Sequence, residues 1–131
     1  MTTKAASEAN RNLVVKFYEL AINQRRAAES AAQYIGLPYI QHNPDVPQDG
    51  PAGFLEFIGH MFKQHPDMKV IVHRAIADET FVALHVHLKR DENDPGLAIA
   101  EFFRVENGKI IEHWDVTQSV PVKTASGNAM F

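Results

Sequence analysis

The fold of this chain is decided by one stretch near its C-terminus, Glu106-Asn107-Gly108-Lys109-Ile110-Ile111-Glu112-His113-Trp114-Asp115-Val116. An Asn-Gly pair between two apolar runs is the strongest short-range signal of a β-hairpin. His113 and Asp115 stand two residues apart on the strand after the turn, so their side chains point to the same face. A histidine and a carboxylate on one face of a rigid element are groups that a proton-transfer site needs. The stretch therefore predicts both the last hairpin and a candidate site.

The Asn-Gly turn permits two pairings of the strands, and the pairing decides which side chains meet. A two-residue turn places Glu101 opposite Trp114, whereas a three-residue loop with Gly108 as a bulge places Glu101 opposite His113. A one-residue slip moves every side chain to the other face, so only the second register gathers the ionisable groups. We favour the bulged register, which predicts a single face made of Ile99, Glu101, Phe103, Ile111, His113, Asp115 and Thr117. Such an apolar wall with a few polar groups is typical of a small-molecule pocket.

Upstream of the hairpin, the apolar spacing changes along the chain from a helical period to an extended one. Helical spacing occurs in three segments: around Leu13, Phe17, Leu20 and Ala21, from Arg25 to Tyr34, and over Phe54, Phe57, Ile58, Met61 and Phe62. Extended stretches follow at Lys69 to Ile76, Thr80 to Leu88, Leu97 to Val105 and Lys109 to Gln118. Helices followed by an antiparallel meander predict an α+β fold with helices packed on one face of a sheet.

Composition excludes several classes of protein. The 131 residues are 45% hydrophobic and 22% charged, which is typical of one globular domain. The net charge is -3 without a basic run, so we expect no nucleic-acid partner. No apolar run approaches the length of a membrane span, and we expect no membrane partner. The chain has no cysteine, which excludes disulfides and is consistent with a cytoplasmic location.

Two motifs give the chain a family resemblance. They are Tyr39-Ile40-Gln41-His42-Asn43-Pro44 and Phe103-Arg104-Val105-Glu106-Asn107-Gly108-Lys109-Ile110-Ile111-Glu112-His113-Trp114-Asp115. With these motifs the chain resembles the SnoaL-like polyketide cyclase group of the nuclear transport factor 2-like superfamily, over nearly its whole length. The resemblance implies a single SnoaL-like domain over residues 1–131, with three N-terminal helices on a strongly curved antiparallel sheet and a cone-shaped pocket. It also implies a homodimer and no organic cofactor.

The resemblance also implies roles for particular residues. In SnoaL-type cyclases, an aspartate at the position of Asp115 is the general acid/base of an intramolecular aldol ring closure. A histidine stands in the preceding strand where this chain has Glu101, and an asparagine falls at or next to His42. Two of the three polar positions therefore differ in type from the cyclase pattern.

These observations predict an enzyme that moves a proton on a small apolar carbonyl compound, by cyclisation, isomerisation or aldol-type chemistry. Asp115 would transfer the proton, with His113 and Glu101 setting its ionisation. Substrate contacts are predicted for His42, Ile99, Phe103, Ile111 and Thr117.

Two alternatives remain open from the sequence. One is a non-catalytic protein that binds a small ligand or serves as a dimeric interaction module. The other is a metal-dependent variant, in which His85 and His87 share a strand face and join a carboxylate, Glu101 or Asp115, to form an open metal site.

Overall fold

Three helices pack against one face of a curved five-stranded sheet in the computed structural model, which describes residues 2–131. The elements in chain order are α1 (Thr3–Ile22), α2 (Ala27–Tyr34), β1 (Ile35–Gln41), α3 (Gly50–Gln64), β2 (Lys69–Ala77), β3 (Phe81–Lys89), β4 (Leu97–Glu106) and β5 (Lys109–Ser119). This arrangement confirms the predicted α+β class. No helix of the described part is both long and apolar enough to cross a membrane.

The sheet has the strand order β1-β5-β4-β3-β2, in which β2 to β5 form the predicted antiparallel meander. The edge strand β1 follows α2 directly and pairs with β5 in parallel. Gly36 permits this pairing, because a Cβ at this position would lie only 2.9 Å from the Cβ of Lys109. The parallel edge strand matters because it brings a further set of side chains beside β5.

The core lies between α1 and the inner face of the sheet. From the helix, Val14 and Phe17 are at most 2% exposed, and from the sheet Leu84, Phe103 and Ile110 are at most 1% exposed. Burying a side chain of this size stabilises the fold by about 1.5–3 kcal/mol. The inner face is therefore a rigid support for any polar group that it carries.

Neither of the two registers considered from the sequence holds along the whole length of the last hairpin. Asn107 and Gly108 both have positive φ, 51° and 72°, and form a two-residue turn that pairs Glu106 with Lys109. The favoured three-residue loop is therefore wrong. A bulge at Ile111 then shifts the pairing by one residue, so that Arg104 pairs with Glu112.

The bulge places Glu101 opposite Asp115 instead of His113. His113 lies opposite Phe103, and Thr117 lies opposite Ile99. The favoured register and the observed one differ by two residues in this part of the hairpin, and side chains alternate with a period of two. The predicted face is thus preserved except at the bulged Ile111, although its pairings are different.

Candidate active site

Three ionisable side chains meet on the inner face of the sheet. The Nε2 atom of His113 lies 2.7 Å from Oε1 of Glu101 and 3.9 Å from Oδ2 of Asp115. The three side chains are only 7–10% exposed. The structure therefore brings together the three residues that the sequence predicts as the catalytic group.

The parallel edge strand β1 supplies partners for two of these groups. Gln41 pairs with His113, and its Oε1 lies 2.6 Å from Nδ1 of His113. Because an amide oxygen only accepts hydrogen bonds, Nδ1 carries a proton and Nε2 is directed at the carboxylates. Just beyond the strand, Nδ2 of Asn43 donates a hydrogen bond of 2.7 Å to Oδ2 of Asp115.

Helix α1 supplies the partner of the third group. The hydroxyl of Tyr18 donates a hydrogen bond of 2.6 Å to Oε2 of Glu101. Burial and the charge of Glu101 raise the pKa of Tyr18 well above its ordinary value, so this hydroxyl stays a neutral donor. Both oxygens of Glu101 are thus occupied, by Tyr18 and by His113, and Glu101 is held in place.

The electrostatics of the cluster favour proton exchange at Asp115. Burial and the nearby charge of Glu101 raise the pKa of Asp115 to about 6. Burial alone would lower the pKa of His113, but attraction to Glu101 and Asp115 outweighs it and raises that pKa. A carboxyl group whose pKa lies near neutrality can both take up and return a proton in the physiological range.

We expect Asp115→Asn to stabilise the protein at alkaline pH. A carboxyl group with a raised pKa in the folded state adds stability below its unfolded pKa, near 3.8, and this stability is lost as the pH rises through about 6. Asparagine is neutral at every pH. At pH 8 the free energy of unfolding of the variant should therefore exceed that of the wild type by on the order of 1 kcal/mol. Urea unfolding of both proteins at pH 5 and pH 8 measures the difference in their free energy of unfolding. A difference that is equal at the two pH values would contradict the prediction.

A cavity of about 360 Å³ opens over this cluster. Its walls are mainly apolar and come from α1, α3, the connection between α3 and β2, and the inner face of the sheet. They include Phe17, Ile22, Phe54, Phe57, Ile58, Met61, Met68, Leu88, Leu97, Ile99 and Phe103. Three of the four predicted wall residues line it, namely Ile99, Phe103 and Thr117. Ile111 does not, because it is the bulged residue of β5. The size and lining suit one small organic molecule.

His42 lies outside the cavity, in contrast to the prediction. Its Nε2 is 2.7 Å from Oε2 of Glu112, and its ring stacks on Trp114 at 4.9 Å on the outer face of the sheet. The cause is strand alternation, since Gln41 and Asn43 point inward on either side of it. The period of two that runs through Tyr39, Gln41 and Asn43 is the sequence signal that would have identified the inward residues.

His85 and His87 also lie on the outer face, so they cannot form a metal site with Glu101 or Asp115 on the inner face. Nδ1 of His85 lies 2.9 Å from Nη1 of Arg74. Nε2 of His87 lies 2.7 Å from the backbone oxygen of Pro95. The alternating residues of β3 point into the core instead, which corrects the predicted combination of these histidines with a pocket carboxylate.

In the described part of the chain, one group of side chains has the donor atoms to hold a metal ion, namely Glu101, His113 and Asp115 within 4.8 Å of one another. Two ligands of one ion usually stand about 3 Å apart or more, given metal–ligand bonds of about 2.0–2.2 Å. The 2.7 Å between Glu101 and His113 is the length of a hydrogen bond. The geometry of this cluster fits proton sharing better than metal binding.

Comparisons with known proteins agree with this architecture. The family model of the SnoaL-like domain matches residues 14–113. A candidate ketosteroid isomerase from Kribbella flavida DSM 17836 is 22% identical with a TM-score of 0.70, and the match covers 90% of this chain and 84% of that one. A candidate SnoaL-like polyketide cyclase from Jannaschia sp. CCS1 is 15% identical with a TM-score of 0.70, covering 86% and 87%.

A third solved structure is AclR, a candidate hydroxylase from Streptomyces galilaeus, which is 18% identical with a TM-score of 0.65 and coverage of 85% and 89%. No curated protein matches the chain significantly. At these identities the solved structures establish the shared fold, while their names span isomerase, cyclase and hydroxylase.

Proposed function

The chain belongs to the SnoaL-like family of the nuclear transport factor 2-like superfamily, and on that premise we propose that it is an enzyme that moves a proton on a small, largely apolar carbonyl compound. The observation that carries the proposal is the position of Asp115. Its carboxyl group borders an apolar cavity, and burial and Glu101 raise its pKa to about 6. A base of this kind suits the weakly acidic proton beside a carbonyl group.

The proposed step is removal of a proton from the carbon next to the carbonyl. Asp115 takes the proton, the electron pair of the C–H bond forms the new C=C bond, and the carbonyl oxygen becomes an enolate oxygen. Both ring nitrogens of His113 contact oxygens that accept hydrogen bonds, so the ring is held as a cation and offsets the negative charge that the cavity gains. Return of the proton at another carbon gives isomerisation, and attack of the enolate on a second carbonyl gives aldol cyclisation.

A test does not require the natural substrate. A neutral bicyclic ketone such as 2-tetralone has the size for a cavity of about 360 Å³. We expect the protein to accelerate exchange of its α-protons in D₂O, followed by proton NMR, and to do so equally with and without EDTA. Ketones that bind without faster exchange would favour a carrier, and loss of exchange in EDTA would favour a metal-dependent reaction.

We further propose that the protein is a cytoplasmic homodimer, formed through the outer face of the sheet. Five apolar side chains of this face are at least 40% exposed: Ile71, Ile76, Phe81, Phe102 and Val116. Strand pairing aligns Ile76 with Ala83 and Ala83 with Phe102, so this apolar surface runs across neighbouring strands. Contiguous exposed apolar surface commonly marks an interface, and two-fold dimers bury the same patch on both subunits.

Val116→Arg should convert the dimer into a monomer, because two-fold symmetry places the new charge in the interface twice. Size-exclusion chromatography with light scattering measures the mass. The matched control is Val122→Arg, since Val122 is 90% exposed and follows the last strand. A wild-type protein that is already monomeric at micromolar concentration would refute the dimer.

A further inference from the structure

We propose that Tyr39 is a further catalytic residue, which donates a hydrogen bond to the carbonyl oxygen of the substrate while Asp115 removes the neighbouring proton. This inference rests on the proposed proton-transfer function and specifies how its substrate is held. The sequence alone did not single out Tyr39.

Tyr39 lies on the strand that already supplies two partners to the site. It precedes Gln41 by two residues on β1, so both side chains point to the inner face. Tyr39 is only 2% exposed and lines the same cavity as Asp115 and His113. Its hydroxyl is therefore placed for contact with a molecule bound in the cavity and has little access to bulk solvent.

The hydrogen bonds around Gln41 leave the proton of this hydroxyl free. Oε1 of Gln41 accepts from the backbone N–H of Asn43 at 3.0 Å and from Nδ1 of His113 at 2.6 Å. These two bonds occupy both lone pairs of the amide oxygen. Gln41 therefore cannot accept a hydrogen bond from the Tyr39 hydroxyl through this oxygen, and the hydroxyl proton stays available.

The other tyrosine of the site cannot play this part. The hydroxyl proton of Tyr18 is already used in its 2.6 Å bond to Glu101. Among the side-chain hydrogen bonds of residues 2–131, none is donated by Tyr39. The Tyr39 side chain thus lines the cavity and donates no hydrogen bond to another side chain or backbone oxygen of the described residues, so a ligand oxygen can accept one from it.

Burial and the charges of the site keep Tyr39 protonated, and its position on β1 brings it into the cavity that also holds the base. Burial and the negative charges of Glu101 and Asp115 raise the pKa of Tyr39 above its ordinary value. Tyr39 lies two residues before Gln41, whose Oε1 is 2.6 Å from Nδ1 of His113, and Nε2 of His113 is 3.9 Å from Asp115. The donor and the proposed base therefore line the same part of the cavity. A carbonyl group bound there can direct its oxygen at Tyr39 and its α-carbon at Asp115.

The step then proceeds with all atoms accounted for. The α-proton passes to Asp115, the C–H electron pair forms the C=C bond, and the π electrons of the carbonyl move onto oxygen. The hydroxyl of Tyr39 keeps its proton and strengthens its hydrogen bond as the oxygen becomes negative. Removing one such donor usually lowers kcat by about 10²–10³.

The test uses 2-tetralone labelled with ¹³C at its carbonyl and a Tyr39→Phe variant. We expect the bound wild-type complex to show a downfield shift of the carbonyl signal, as a hydrogen-bonded carbonyl does. In Tyr39→Phe the shift should disappear, Kd should rise at most about tenfold, and kcat for α-proton exchange should fall about a hundredfold or more. Tyr34→Phe is the matched control, because Tyr34 packs against Phe17 outside the cavity lining.

The outcomes separate the two proposals. If Tyr39→Phe keeps both the downfield shift and the exchange rate of the wild type, the role of Tyr39 is refuted and the proton-transfer function stands. If the wild-type protein binds the ketone with neither a shift nor faster exchange, both proposals fail. A lower exchange rate with the shift retained would make Tyr39 a structural residue and would also overturn the inference.

Discussion

Asp115→Asn should slow the α-proton exchange of a bound ketone by about 10²–10⁴-fold while the protein stays folded. Asparagine has nearly the shape of aspartate, and its amide oxygen can still accept the hydrogen bond from Asn43. It has no carboxylate to take up a proton. The measurement is the NMR exchange rate in D₂O at pH 8, where Asp115 of the wild type, with a pKa of about 6, is ionised.

A matched control is available on the same strand. Glu112→Gln makes the same chemical change on the outer face, where Glu112 binds His42 and Arg104. It should leave the exchange rate within about twofold of the wild type, since Glu112 lies on the other face of the sheet and does not line the cavity. Full exchange activity in Asp115→Asn would refute the assignment of Asp115 as the base. A comparable loss in both variants would point to a general effect on β5.

The pH dependence of the exchange adds a second check on the same residue. A base must be deprotonated to act, so the rate should rise with pH through about 6, following Asp115. The predicted rise is opposite in direction to the stability effect of Asp115, whose ionised form destabilises the fold. The ionised form of Asp115, which acts as the base, thus lowers the free energy of unfolding of the protein at the pH where the enzyme is active.

The sequence predicts the face of the sheet better than its pairings. Glu101, His113 and Asp115 share a face in the structure, as predicted, although Glu101 pairs with Asp115 and not with His113. The extra residue of β5 could not be foreseen, because nothing in the apolar pattern around Ile111 distinguishes a bulge from a regular strand. The predicted pairing of Glu101 is wrong by two residues. Because side chains alternate with a period of two, this error leaves the same ionisable groups on the inner face.

Non-local contacts explain the residues that sequence reasoning missed. Tyr18 and Glu101 are 83 positions apart, and their hydrogen bond depends on how α1 packs on the sheet. The period of two separates Asn43 from His42, but their contacts with Asp115 and Glu112 depend on the parallel pairing of β1 with β5, which no short-range signal encodes. Local patterns therefore predict the strands and the candidate acid/base group, but not the residues that hold it.

The second large effect is on stability, and it concerns the wall that supports His113. Phe103→Ala should lower the free energy of unfolding by about 3–5 kcal/mol, as expected for a phenylalanine removed from a packed core. Phe103 is 1% exposed, and its ring lies 6.1 Å from that of Phe17 and 4.8 Å from that of His113. Urea unfolding with a fixed slope measures the loss.

Phe57→Ala is the variant with which the stability loss of Phe103→Ala is compared. Phe57 also lines the cavity, but it is only half-buried and lies on α3, where Gly53 and Ile58 are the fully buried residues. Its loss should therefore cost about 1–2 kcal/mol, well below the cost at Phe103. Equal losses would show that α3 is as firmly packed as the sheet. If the loss at Phe103 exceeds the loss at Phe57 as expected, the wall formed by the sheet is the part that fixes the acid/base group. The wall formed by α3 can then change to suit the ligand with little loss of stability.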